Sequence, residues 1–181
     1  MLTSRAKISR STRSRTTSSD HWLDYRGDSQ YRSVVALKAL IERLPRRPMF
    51  AMDLHCSYLR ETTQQPGCSE ELFFMGSMNS NVLAETAKFQ QILRREQRGP
   101  IRYDGRSDLP YGVRWNTEDI ATPSFVGWAS NLPEIQVATV LELPYANAGG
   151  VAVTPDSARR LGRDLAISMQ AYFEQCLAAE K

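Results

Sequence analysis

Two short apolar runs constrain what this chain can fold into more than any other feature. Residues 48–56 read Pro-Met-Phe-Ala-Met-Asp-Leu-His-Cys, and residues 135–147 read Ile-Gln-Val-Ala-Thr-Val-Leu-Glu-Leu-Pro-Tyr-Ala-Asn. Each is a brief apolar stretch beside a proline, the pattern of a buried strand rather than a helix. Side chains alternate across a strand, so Asp53 and His55 share one face at its end. Open α/β sheets place their sites at the carboxyl ends of strands. An imidazole beside a carboxylate there is the usual start of a zinc site. The same residues also fit a satisfied, half-buried histidine. Glu142 sits inside the second run, where an unpaired carboxylate costs several kcal/mol. Two bland accounts are open for it: a partner for a buried Arg, or an edge position facing water. The functional account is a general base with a raised pKa beside a metal-bound water.

The remaining chain alternates helical and extended patterns. Residues 31–44 carry Val34, Val35, Leu37, Leu40, Ile41 and Leu44 at amphipathic-helix spacing, stopped by Pro45 and Pro48. The strand at 49–55 follows, then a polar loop at 61–69 and a second strand at 72–75 ended by Gly76. Residues 80–98 read as a long helix with Val82, Leu83, Phe89, Ile92 and Leu93 inward. Residues 99–125 are loop-rich, 124–132 a short helix, and 146–153 a flexible loop containing Gly149 and Gly150. Thr154-Pro155 opens the last helix with an N-cap and a first-position proline. Ala158, Leu161, Leu165, Met169, Tyr172 and Phe173 form its apolar side, with Ile167 off the stripe. This order predicts an α/β fold with a mixed sheet sandwiched by helices.

Residues 1–19 stand apart from the domain predicted over 20–181. They are nearly all Ser, Thr, Arg and Lys, with five basic residues and no acidic one, and show no periodicity. Such a segment is expected to be disordered. The net charge of +3 comes from 23 basic and 20 acidic residues; without those five it is −2, from 18 and 20. The domain is thus nearly neutral, which argues against a nucleic-acid partner. Arg94-Arg95 and Arg98, and Arg159-Arg160 with Arg163, read as solvated helix faces. No apolar stretch approaches the ~18 residues of a membrane span, and no signal h-region follows Met1, so no membrane partner and a cytoplasmic location are expected. Cys56, Cys68 and Cys176 lack Cys-x-x-Cys spacing and predict no disulfide framework; Cys56 is expected to be a small packed thiol.

From about Asp20 to Ala171 the chain resembles the zinc carboxypeptidase (M14 metallocarboxypeptidase) family. Asp53-Leu54-His55-Cys56 resembles the strand bearing that family's third zinc ligand. Residues 112–117, Gly-Val-Arg-Trp-Asn-Thr, and 124–129, Ser-Phe-Val-Gly-Trp-Ala, resemble its active-site loops. Residues 141–147, Leu-Glu-Leu-Pro-Tyr-Ala-Asn, resemble the strand of the catalytic glutamate, and 157–166 the closing helix. The resemblance implies a carboxypeptidase-like fold and one Zn²⁺ held by two histidines and a glutamate. It implies His55 as a metal ligand and Glu142 as the general base, with Arg114, Asn116 and Tyr145 lining the substrate cleft. The implied substrate is a peptide or an acyl-amino acid, cleaved at a C-terminal peptide or amide bond.

The chain departs from that family in what it lacks. The His-x-x-Glu pair that supplies the first two ligands is absent: the other histidine, His21, is followed by Trp22-Leu23-Asp24. Trp22 and Leu23 also stand where an Asn-Arg pair for the substrate carboxylate would be expected. The expectation is therefore the C-terminal portion of a longer enzyme, its basic first nineteen residues reflecting a shifted start; a transit-type leader and a basic arm are the other readings. Such a portion would expose a sheet edge and self-associate. The alternative function is a catalytically incomplete carboxypeptidase-like binding domain or truncated gene product.

Overall fold

The computed structural model describes residues 24–56 and 70–179. The basic segment 1–19, His21 and the 61–69 loop with Cys68 lie outside the described residues.

The elements in chain order are α1 (Arg32–Arg43), β1 (Phe50–His55), β2 (Phe73–Phe74), α2 (Ser80–Glu96), α3 (Glu118–Ala121), α4 (Phe125–Ala129), β3 (Val137–Glu142), β4 (Asn147–Ala148), β5 (Val151–Ala152) and α5 (Pro155–Ala179). The chain is a mixed α/β structure built on a small mixed sheet of order β1-β3-β2. β3 is central, parallel to β1 and antiparallel to β2. It is buried along its whole length, which is why its sequence is a continuous apolar run. β1 is covered by β3 on one side only among the described residues. Its residues are mostly half-buried, and Leu54 is 67% exposed.

Helices cover both faces of the sheet. On one face Phe74, Val137 and Leu141 pack with Phe89, Ile92 and Leu93 of α2 and Leu161, Leu165 and Tyr172 of α5. Perpendicular aromatic pairs knit this core, among them Phe50–Phe89 at 4.9 Å and Phe74–Tyr103 at 4.9 Å. On the other face Phe73, Met75, Ala138 and Val140 pack against Val126 and Ala129 of α4. α4 can approach closely because residue 127 is glycine: a Cβ there would overlap the Ala121 carbonyl oxygen.

Caps locate the helix starts. Asn79 Oδ1 accepts from the amides of Asn81 and Val82, and Ser124 Oγ from Gly127 N. At α5, Thr154 Oγ1 accepts from Ser157 N at 3.2 Å while Ser157 Oγ accepts from Thr154 N at 2.8 Å, a reciprocal cap.

Several expectations are corrected. Residues 147–152 form a hairpin rather than a flexible loop, because Gly149 (φ 58°) and Gly150 (φ 81°) supply two positive φ angles for a two-residue turn. The one-turn α3 interrupts the predicted 99–125 loop. In α1 only Val34 is buried; Val35 and Leu40 are 50% and 57% exposed, since no strand or helix among the described residues packs extensively against α1. Leu83 of α2 is also exposed. Cys56 is exposed, being one residue past the end of β1. The arginines of α2 and α5 are exposed as predicted, and Ile167 is off the apolar stripe. No helix among the described residues is long and apolar enough to cross a membrane.

Candidate functional site

β1 and β3 run parallel and end together, with His55 directly opposite Glu142 and Asp53 opposite Val140. Adjacent strands lie about 4.8 Å apart. Residues in register share a face, so Asp53, His55, Val140 and Glu142 belong to one side of the sheet, with Asp53 and His55 as the alternation predicts. His55 O accepts from Leu143 N at 2.8 Å, which carries the ladder one residue past Glu142. Pro144, which has no N–H, ends it.

Glu142 is 4% exposed on the central strand, and its Oε2 has no hydrogen-bond partner among the described residues. Among the described residues neither bland account holds: the carboxylate is on the central strand, and the charge acting on it is that of Asp53, of like sign, not of an arginine. Burial first and Asp53 second raise its pKa from 4.5 to about 7. The cost of ionising it here is the reason it holds a proton into the neutral range.

Asp53 and His55 form a loose pair, Oδ2 to Nδ1, at 3.7 Å, with side chains 22% and 34% exposed. Burial raises the Asp53 pKa, and His55 opposes the rise. Tyr25, buried against Phe125 and Trp128, is raised by burial and then by Asp53. Tyr25, Met52, Asp53 and Phe125 of this group line a groove of about 400 Å³ shared with Val34 and Leu37 of α1. Tyr25 carries no sequence signal of this role; Tyr25 N bonds Pro123 O at 2.9 Å, which ties its segment to the start of α4.

The other predicted residues divide. Asn116 is 1% exposed, and its Nδ2 donates to Gly76 O (3.0 Å) and Leu109 O (3.1 Å), pinning the loop against the strand after β2. It lines a pocket of about 360 Å³ with Met75 and Val140. Arg114 is exposed in the tight turn between Val113 and Asn116, at φ 53°. Tyr145 is 56% exposed, three residues beyond Glu142. The structure thus brings together Asp53, His55 and Glu142, with Asn116 in a neighbouring pocket, while Arg114 and Tyr145 are at the surface.

Tight zinc sites converge at least three protein ligands on one point. No group of three or more His, Cys, Asp or Glu among the described residues is placed to hold a metal ion. His55 and its neighbouring carboxylates do not by themselves fit a zinc centre. The arrangement can, however, take up a proton: a desolvated carboxylate titrating near 7 beside an imidazole meets the needs of acid–base chemistry.

Comparison with known proteins finds no matching family model, no significantly similar curated protein and no significantly similar solved structure.

Proposed function

We propose that this chain is a carboxypeptidase-like hydrolase domain that cleaves a C-terminal peptide or amide bond, with Glu142 as the general base. One observation carries the reading: a buried carboxylate without a hydrogen-bond partner among the described residues ends the central strand beside His55. A structural carboxylate would be paired; an unpaired one is a destabilising group whose best account is chemical.

In this reading Glu142 takes a proton from water as the oxygen attacks the carbonyl carbon. It returns that proton to the amine as the C–N bond breaks. Its pKa near 7 leaves it able to do both at neutral pH. Burial first and the Asp53 charge second keep that pKa high. The resemblance adds one Zn²⁺, which would polarise the carbonyl, with His55 as a ligand. Its further donors have to come from outside the described residues or from another chain, so no step above is routed through the metal. A peptide or acyl-amino acid is the substrate class, with Arg114 and Tyr145 as candidates for contacts at the rim.

A second reading is a catalytically incomplete binding domain of the same resemblance. The lack of a three-donor group among the described residues favours it. Bound metal per chain, after dialysis against zinc and then metal-free buffer, separates the two. Near-stoichiometric zinc in the wild type, lost in His55→Ala, supports the hydrolase. No retained zinc supports the binding domain.

A further inference from the structure

We propose that Arg98 and Arg102 form a binding site for a phosphate monoester group, whose dianion bridges the two guanidiniums. The site lies just past the end of α2, beside α5, and shares no residue with the Glu142 group. It therefore stands independently of the hydrolase reading.

The loop that carries the two arginines is held at both ends and from below. Buried Gln97 accepts from Tyr103 N through Oε1 at 2.8 Å and donates from Nε2 to Tyr103 O at 2.8 Å, which clips residues 98–102 into a short loop. Buried Asp164 of α5 accepts from Arg98 N at 3.0 Å and Gly99 N at 2.8 Å through one oxygen. Ile101 is fully buried in the core shared by α2 and α5. Arg98 and Arg102 are both exposed on this fixed frame.

Their guanidiniums converge on one atom. Arg98 Nη1 donates to Gln97 O at 3.0 Å and Arg102 Nη1 donates to the same oxygen at 2.5 Å, so the two nitrogens are within about 5.5 Å, the sum of those distances. Arg98 Nη1 also donates to Arg95 O at 2.7 Å. These contacts satisfy the last carbonyls of α2, but they occupy one nitrogen of each guanidinium, and each guanidinium has five N–H donors. The acids nearby are committed elsewhere: Glu96 pairs with Arg95 at 2.7 Å, Asp104 with Arg106, Asp156 with Arg160 at 3.0 Å, and Asp164 with the two backbone amides. Among the described residues no carboxylate forms an ion pair with Arg98 or Arg102. Arg94, Arg159 and Arg163 are also exposed and unpaired among them, so the surrounding field is positive. Two like charges held this close repel each other, and an anion between them relieves the repulsion. A phosphate monoester brings up to two charges and three acceptor oxygens, which suits two planar forks at once. A carboxylate or a phosphodiester brings one charge and suits one fork.

The test uses the full chain and follows the Nε–Hε resonances of Arg98 and Arg102 individually by NMR, so the basic segment at 1–19 does not enter the readout. Methyl phosphate, mostly a dianion at about pH 7.5, should shift both resonances saturably. Dimethyl phosphate and acetate, with one charge each, should bind at least fivefold more weakly. Arg98→Lys and Arg102→Lys keep the charge but lose the fork, and each should weaken methyl phosphate at least fivefold. Arg106→Gln, at an arginine paired with Asp104, should leave the affinity within twofold of wild type. Cosedimentation with phosphatidylcholine vesicles containing phosphatidylinositol 4-phosphate, lost in Arg98→Lys, supports the site and assigns its phosphate to a lipid headgroup. Methyl phosphate binding without cosedimentation supports the site and assigns the phosphate to a soluble molecule. Unshifted resonances, equal affinity for dimethyl phosphate (the mark of a general or nucleic-acid-binding basic surface), or unchanged affinity in both lysine variants overturns the proposal.

Discussion

Replacing Glu142 by glutamine removes one ionisation and little volume, and its effect can be worked from the structure. The carboxyl group titrates at about 7 in the folded chain against an ordinary 4.5. Each pH unit of that difference is worth 1.36 kcal/mol, so the whole is roughly 3 kcal/mol. The sign follows from proton counts. Between pH 4.5 and 7 the folded state keeps the proton and the unfolded state has lost it. Stability from this group is therefore full below the unfolded value and falls as pH rises through the folded one. Wild type should lose about 3 kcal/mol across that window relative to Glu142→Gln, at a slope near 1.4 kcal/mol per pH unit. The buried amide of glutamine brings its own cost, on the order of 1 kcal/mol, but that cost does not vary with pH. Urea denaturation of both proteins in EDTA, at half-unit steps from pH 4 to 8.5, reads the difference. Two stability curves that run parallel over the whole range would refute the argument that Glu142 is desolvated and proton-holding.

Further expectations follow from neighbouring contacts. Asp53→Asn removes the like charge acting on Glu142 and should lower the Glu142 pKa, read as an earlier midpoint in a ¹³C carboxyl titration; an unmoved midpoint would leave burial as the sole cause. Gly127→Ala drives a methyl into the Ala121 carbonyl and should cost about 3 kcal/mol or more in denaturant unfolding, whereas a loss below 1 kcal/mol would show that α4 shifts freely. β1, paired on one side only among the described residues, should make the wild type self-associate at micromolar concentration, and Leu54→Lys should shift sedimentation toward monomer; a strictly monomeric wild type contradicts this.

The central strand was the most legible part of the chain. Val137–Glu142 is buried on both faces, so its apolar run has no competing interpretation, and one carboxylate within it stands out at once. The Asp53–His55 pair was legible for the same reason, since strand alternation alone puts both on one face. The helix start at Pro155 was readable from its Thr154 cap and first-position proline. What the sequence hid depends on distant packing. The apolar pattern of α1 is that of a buried helix, yet Val35, Leu40 and Leu44 of that stripe are exposed, and periodicity does not say whether a partner surface exists. Tyr25 joins Asp53, and Met75, Asn116 and Val126 join one pocket, through contacts between segments far apart in the chain. Arg114 and Tyr145, singled out by resemblance alone, are both exposed.

The most direct test of Glu142 as a base is the pH dependence of kcat/KM for a C-terminally blocked acyl-amino acid and a free C-terminal peptide, measured with zinc supplied. The account predicts hydrolysis whose rate rises with pH through an acid limb near 7, where Glu142 loses its proton, and a loss of 10²-fold or more in Glu142→Gln. Hydrolysis that survives in Glu142→Gln with the same acid limb, or a wild-type chain that binds zinc fully and hydrolyses neither substrate, would contradict it.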